Sequence, residues 1–168
     1  MRIQRSYLIE YRTKKEIIMI DQSLKASNKI GVLRFFRKVA LNLSQSRWIF
    51  NILRIQLLKW GGVNVGQNIF IGEGVIIDTI RHDLLTIGDN TLITARCMII
   101  THFYKNGDFY YGDVKIGKNV FVGMNTIIAN SVTIGDGAVI GAGSIVTKDI
   151  PAGEVWAGNP AKFIKKRI

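Results

Sequence analysis

Two histidines, His82 and His102, are the only side chains in this chain of 168 residues that ordinarily titrate close to neutrality. A general base working near pH 7 is therefore sought first at these two positions. His102 stands in Ile99-Ile100-Thr101-His102-Phe103-Tyr104 and His82 in the polar run Asp78-Thr79-Ile80-Arg81-His82-Asp83. Both have carboxylates within reach in sequence, Asp78 near His82 and Asp108 beyond His102. The stretch after His102 is rich in flat rings (Phe103, Tyr104, Phe109, Tyr110 and Tyr111) that suit a sugar ring or a neighbouring subunit. Two histidines are too few for a three-histidine zinc site, so no metal is expected. The single cysteine, Cys97, excludes an internal disulfide and reads as a small core residue.

The elements that must position these groups are announced by a repeat. Aliphatic residues fall six apart at Val65, Ile71 and Ile77, again at Ile87, Ile93 and Ile99, and then at Ile116, Val122, Ile128, Ile134, Ile140 and Val146. Glycine follows many of them, and the position two before is usually small or β-branched. A period of six fits neither a helix nor a hairpin sheet; it fits a parallel β-helix in which each hexapeptide is one short strand and a turn. Grouping the rungs in threes gives four coils. Both breaks in the period follow a third rung, four residues too long after Ile77 and eleven too long after Ile99. The two excursions, one with His82 and the other with His102, should therefore leave the prism at the same corner on adjacent coils. Excursions at one corner commonly build a binding face. Lys105-Asn106-Gly107-Asp108 reads as a turn inside the longer one.

Residues 1–60 differ in kind. They hold thirteen Lys/Arg against three acids, whereas residues 61–168 hold ten against nine, so nearly all of the net charge of +11 lies in the first third. Their apolar residues recur at helical spacing: Ile30, Leu33, Phe36, Val39 and Leu43 form one stripe, and Ile49, Leu53, Leu57 and Trp60 a second. Asp21 or Ser23 suits a helix start, and Gly61-Gly62 a stop. Two or three amphipathic helices are expected, most simply as a cap on the open end of the β-helix. The mixed basic and apolar runs Arg34–Lys38 and Arg54–Trp60 add a second expectation, peripheral contact of residues 1–60 with an anionic membrane.

The run Val132–Gly153, followed by Trp156-Ala157-Gly158-Asn159-Pro160-Ala161-Lys162, closely resembles the hexapeptide-repeat acyltransferases, among them the maltose, galactoside and serine acetyltransferases and polysaccharide O-acetyltransferases. The resemblance spans residues 63–168. It implies a left-handed β-helix, a homotrimer, and acyl-CoA bound between neighbouring subunits; crossover chirality alone favours the other hand. It also implies that His102 is the general base, activating an acceptor hydroxyl against acetyl-CoA. Asp78 stands near the place where sugar acetyltransferases carry an acceptor-binding asparagine, and His82 shares that loop. Asp108, in Asn106-Gly107-Asp108-Phe109-Tyr110, matches an acid that orients the base or holds a sugar hydroxyl. For the donor, the resemblance implies contacts at Gly141, Ala142 and Thr147, with Lys148, Lys162 and Lys165 as point charges for phosphate.

The expected organisation is an all-β repeat: a basic helical extension over 1–60, a left-handed parallel β-helix of about four coils over 61–155 with a loop at 100–115, and a tail over 156–168. With 48% apolar residues the chain can bury a sizeable core, and no apolar run is long enough to cross a bilayer. Nothing near Met1 reads as a cleaved leader, so a cytoplasmic protein is expected, with the inner membrane face as a further location. No nucleic-acid motif accompanies the charge, and no nucleic-acid partner is expected. The acceptor is read as a sugar or surface-polysaccharide precursor; the alternatives are a serine-type or xenobiotic-type acceptor, and a non-catalytic β-helix scaffold.

Overall fold

The computed structural model describes residues 28–46, 48–106 and 108–167. Two helices, α1 (Asn28–Ser44) and α2 (Asn51–Gly61), precede a left-handed parallel β-helix of four coils. The first coil is β1 (Asn64–Val65), β2 (Phe70–Ile71) and β3 (Ile76–Ile77); the second is β4 (Leu85–Ile87), β5 (Leu92–Ile93) and β6 (Met98–Ile99). A hairpin of β7 (His102–Lys105) and β8 (Asp108–Tyr111) interrupts the prism. The third coil is β9 (Val114–Ile116), β10 (Phe121–Val122) and β11 (Ile127–Ile128), and the fourth β12 (Val132–Ile134), β13 (Val139–Ile140) and β14 (Ile145–Val146). The segment read from sequence as a tail holds an antiparallel pair, β15 (Glu154–Ala157) and β16 (Lys162–Lys166).

The rungs stack as their spacing requires. Side A of the prism is β1-β4-β9-β12, side B is β2-β5-β10-β13 continued by β15 and β16, and side C is β3-β6-β11-β14. Val65 pairs with Ile87, Ile71 with Ile93 and Ile77 with Ile99, and so on down each side. All twelve rung side chains are buried, forming three stacked columns that fill the interior. Each full burial contributes about 1.5–3 kcal/mol. Cys97 is fully buried among them and donates its S–H to the Gly123 carbonyl.

The glycines that follow the rungs have a different physical role from the corner freedom that a tight turn demands. A Cβ on Gly72 would lie 2.6 Å from the Ala95 nitrogen, and one on Gly123 2.4 Å from the Ala142 nitrogen. The next coil passes too close for a side chain. Left-handed backbone falls instead on the corner residues beyond, asparagines such as Asn68, Asn90 and Asn119 and glycines such as Gly74, Gly137 and Gly143.

The helices cap the first coil. Arg54 is 5% exposed, and its guanidinium donates to the carbonyls of Ile71 and Gly72 on that coil and to those of Ser44, Ser46 and Ile49 before α2. Asn51 brackets the β2 edge by donating to the Ile69 carbonyl and accepting from Ile71 N–H, while Gln45 donates to the Ile77 carbonyl. Edge groups that would otherwise lack partners are thus satisfied. α2 ends at Gly61, with Gly62 at φ 97° as its left-handed cap. The packed residues are Leu41, Leu57, Leu58 and Arg54. Of the two apolar stripes read from sequence only Leu57 belongs to the packed face: Leu33, Phe36, Val39, Leu43, Leu53 and Trp60 are all exposed. Asp21 and Ser23 lie outside the described residues.

Candidate active site

The two excursions leave from the same corner, between sides C and A, on adjacent coils. Because Ile77 pairs with Ile99, the ladder continues one step, with Asp78 N–H donating to the Ile99 carbonyl. Asp78 and Thr101-His102, far apart in sequence, are brought together by this register. Asp78 Oδ2 accepts from Thr101 N–H at 3.0 Å, from the Thr101 hydroxyl at 2.8 Å, and from His102 Nδ1 in a short contact; Oδ1 accepts from Ile80 N–H at 2.9 Å. The Asp78 side chain is 5% exposed and that of His102 26%.

Burial works to raise the Asp78 carboxyl, but Ile80 N–H, the His102 ring and the Thr101 hydroxyl and N–H hold it below the usual carboxylate range. A carboxylate at Nδ1 fixes the proton there and leaves Nε2 with its lone pair. Among the described residues Nε2 has no hydrogen-bond partner. The arrangement is a half-exposed imidazole, oriented by a buried carboxylate, with its basic nitrogen available. That is the geometry of a general base.

The hairpin sorts the remaining candidates by its two-residue period. His102 pairs with Tyr111 and Tyr104 with Phe109, so these four share one face. Phe109 and Tyr111 lie 5.8 and 6.5 Å from the His102 ring, centroid to centroid. Asp108 pairs with Lys105 at the hairpin tip and belongs to the opposite face with Phe103 and Tyr110, so the chain does not bring it to its own His102. Asp78 takes the orienting place, and both of its oxygens are engaged internally rather than offered to an acceptor. His82 opens a short turn, His82–Leu84. Its ring lies 3.4 Å from where a Cβ on Gly62 would stand, against the end of α2 rather than beside His102. Arg81, forked onto Asp83, places its guanidinium 5.3 Å from the Tyr111 ring centroid and ties the two excursions together.

The residues expected to meet the donor fall on two edges. Thr147 and Lys148 follow β14, at the corner the excursions leave and two coils beyond His102, hence about 10 Å along the prism. Lys148 is exposed. Gly141 and Ala142 follow β13 at the next corner. A Cβ on Gly141 would meet the Ala157 Cβ at 2.8 Å, so that glycine admits the C-terminal hairpin, and the smooth exposed stretch is Ala142-Gly143. Lys162, opposite Ala157, and Lys165, opposite Val155, are exposed on β16.

Known proteins similar to this chain share its parallel β-helix. Residues 113–148 match the family described as bacterial transferase hexapeptide (six repeats). The chain is 44% identical over 112 residues to the galactoside O-acetyltransferase of Escherichia coli (strain K12), covering 60% of this chain and 55% of that protein. It thus spans about half the length of that curated relative. Among solved structures, a maltose O-acetyltransferase from Clostridium difficile 630 superposes with a TM-score of 0.63 at 27% identity, over 84% of this chain and 90% of that one. A galactoside acetyltransferase in complex with coenzyme A superposes with a TM-score of 0.61 at 27% identity, over 84% of each chain. The chain thus carries the bacterial transferase hexapeptide repeat and is similar, in sequence and in fold, to these acetyltransferases.

Proposed function

We propose that the protein is an acetyl-CoA-dependent O-acetyltransferase with His102 as general base and Asp78 as its positioning residue. The observation that carries this reading is the single corner at which the buried carboxylate holds Nδ1 and leaves Nε2 available. His102 Nε2 takes the proton of an acceptor hydroxyl as its oxygen attacks the thioester carbonyl. The carbon–sulfur bond breaks, and the departing thiolate recovers that proton from the imidazolium. A base of this kind contributes about 10²–10⁴-fold. The relatives named for galactoside and maltose acetylation support a sugar or surface-polysaccharide precursor as acceptor, and the coenzyme A held by one of them supports the donor.

The active form is proposed to be a cytoplasmic homotrimer. The outward residues of side A are polar (Asn64, Thr86, Lys115 and Thr133), whereas side B presents Phe70, Leu92 and Phe121, and side C Ile76, Met98 and Ile127. Phe70, Ile76, Leu92 and Phe121 are 40–47% exposed in one chain. Two different apolar sides suit a head-to-tail contact that closes into a ring. Such a ring also suits donor residues divided between two edges of each chain.

Calorimetry with acetyl-CoA tests the reading without knowledge of the acceptor. Wild type is expected to bind, Lys148→Ala to bind more weakly, and His102→Ala to bind as wild type does. A wild-type protein that takes up no acyl-CoA contradicts the proposal.

A further inference from the structure

α1 is amphipathic in the reverse sense to a helix that caps a core. Leu41, Ala40 and Ser44 are buried against the protein. The opposite side carries Val32, Phe35, Phe36, Val39 and Leu43, spaced i, i+3, i+4, i+7 and i+11, which are 37–63% exposed. Past the end of this stripe the connection to α2 presents Trp48 and Phe50, 92% and 87% exposed. Arg34, Arg37 and Lys38 are exposed on the flank of α1 nearer Leu41 and Lys59 is exposed on α2, and residues 22–60 contain no acid at all. Exposed aromatics in such number mark a surface made for a partner.

We propose that this end of the molecule docks on the surface of an anionic lipid bilayer, with the α1 stripe and Trp48 entering the headgroup–acyl boundary. Charge selects this occupant over a second copy. Helix-to-helix pairing of two chains would bring together two segments that each carry thirteen bases against three acids. A bilayer containing anionic lipid complements that charge and accepts the aromatic side chains as well. Nucleic acid would match the charge but leave the phenylalanines and Trp48 uncovered. In the ring of the preceding section, on which this step rests, three caps lie at one end of the prism, so three weak contacts act together.

Sedimentation of the full chain with phosphatidylglycerol–phosphatidylcholine vesicles tests this at low and high salt. The protein is expected to pellet with the anionic vesicles, to release as salt rises, and to stay in solution with phosphatidylcholine alone. Trp48 fluorescence should shift to the blue on binding. A Phe35→Ser/Phe36→Ser variant is expected to lose about tenfold or more in partitioning. The inference is overturned if wild type remains in solution with anionic vesicles at low salt, if the double variant partitions unchanged, or if that variant loses its oligomeric size, since the stripe would then be a contact between copies. Acetyl-CoA binding measured on the same samples separates this from the enzymatic reading, because either can fail while the other holds.

Discussion

Between Ile116 and Val146 six rungs follow one another without interruption, whereas Asp78–Leu84 and Ile100–Asp113 break the period and leave the prism. The two regions distribute their polar groups in opposite ways. In the coils the interior is aliphatic, polar side chains are few, and each strand is held by the one before and after it. In the excursions a carboxylate is buried and an imidazole is held half-exposed beside it. The coils stay regular so that two departures from them stack one above the other. The register of Ile77 on Ile99 converts a separation of 24 residues between Asp78 and His102 into a hydrogen bond.

Changes in the two regions should therefore fail in different ways. The largest effect is expected from His102→Ala, which should lower kcat by about 10²–10⁴-fold while leaving the unfolding temperature and acetyl-CoA affinity near wild type. Steady-state kinetics beside a thermal melt checks this. In the coils the pattern reverses. Ile128→Ala should cost about 2–5 kcal/mol of stability through the cavity it leaves, with kcat per folded molecule retained. Arg54→Met at the capped end should cost about 3 kcal/mol by stranding carbonyls of the first coil, read from denaturant unfolding. The smallest effect belongs to Asp108→Ala. With Asp108 on the far face of the hairpin, kcat should stay close to wild type and stability within about 0.5 kcal/mol. A large loss of kcat would place Asp108 in a neighbouring copy's site.

The coils were almost wholly legible, because twelve aliphatics at one spacing define both strands and stacking, and the grouping in threes reproduces sides A, B and C. The shared corner of the excursions followed from the same count, and with it the prominence of His102. The same register carries the partnership of Asp78 with His102, since residue 78 follows Ile77, which stacks on Ile99 three residues before His102. Asp108 was legible in principle, since a turn at Asn106-Gly107 places residues 102 and 108 on opposite faces. Arg54 carried no local signal: in a run of mixed basic and apolar residues nothing marks the one cation that turns inward onto carbonyls. The outward stripe of α1 was equally hidden, because periodicity shows that a helix has an apolar face and not what that face meets.

The central claim is that Asp78 acts through His102. In acetyl transfer to a panel of galactosides and other sugars, Asp78→Asn is predicted to lower kcat on the order of 10²-fold through loss of the fixed tautomer and orientation, with acetyl-CoA affinity unchanged. Folding lowers the pKa of Asp78, so the stability it adds is present above the ordinary carboxylate value of about 3.9 and is lost as pH falls through the lower folded value. The variant's stability should accordingly vary less with pH in that acidic window. An Asp78→Asn enzyme that keeps wild-type kcat would contradict the account, because His102 would then need no carboxylate partner to act as the base.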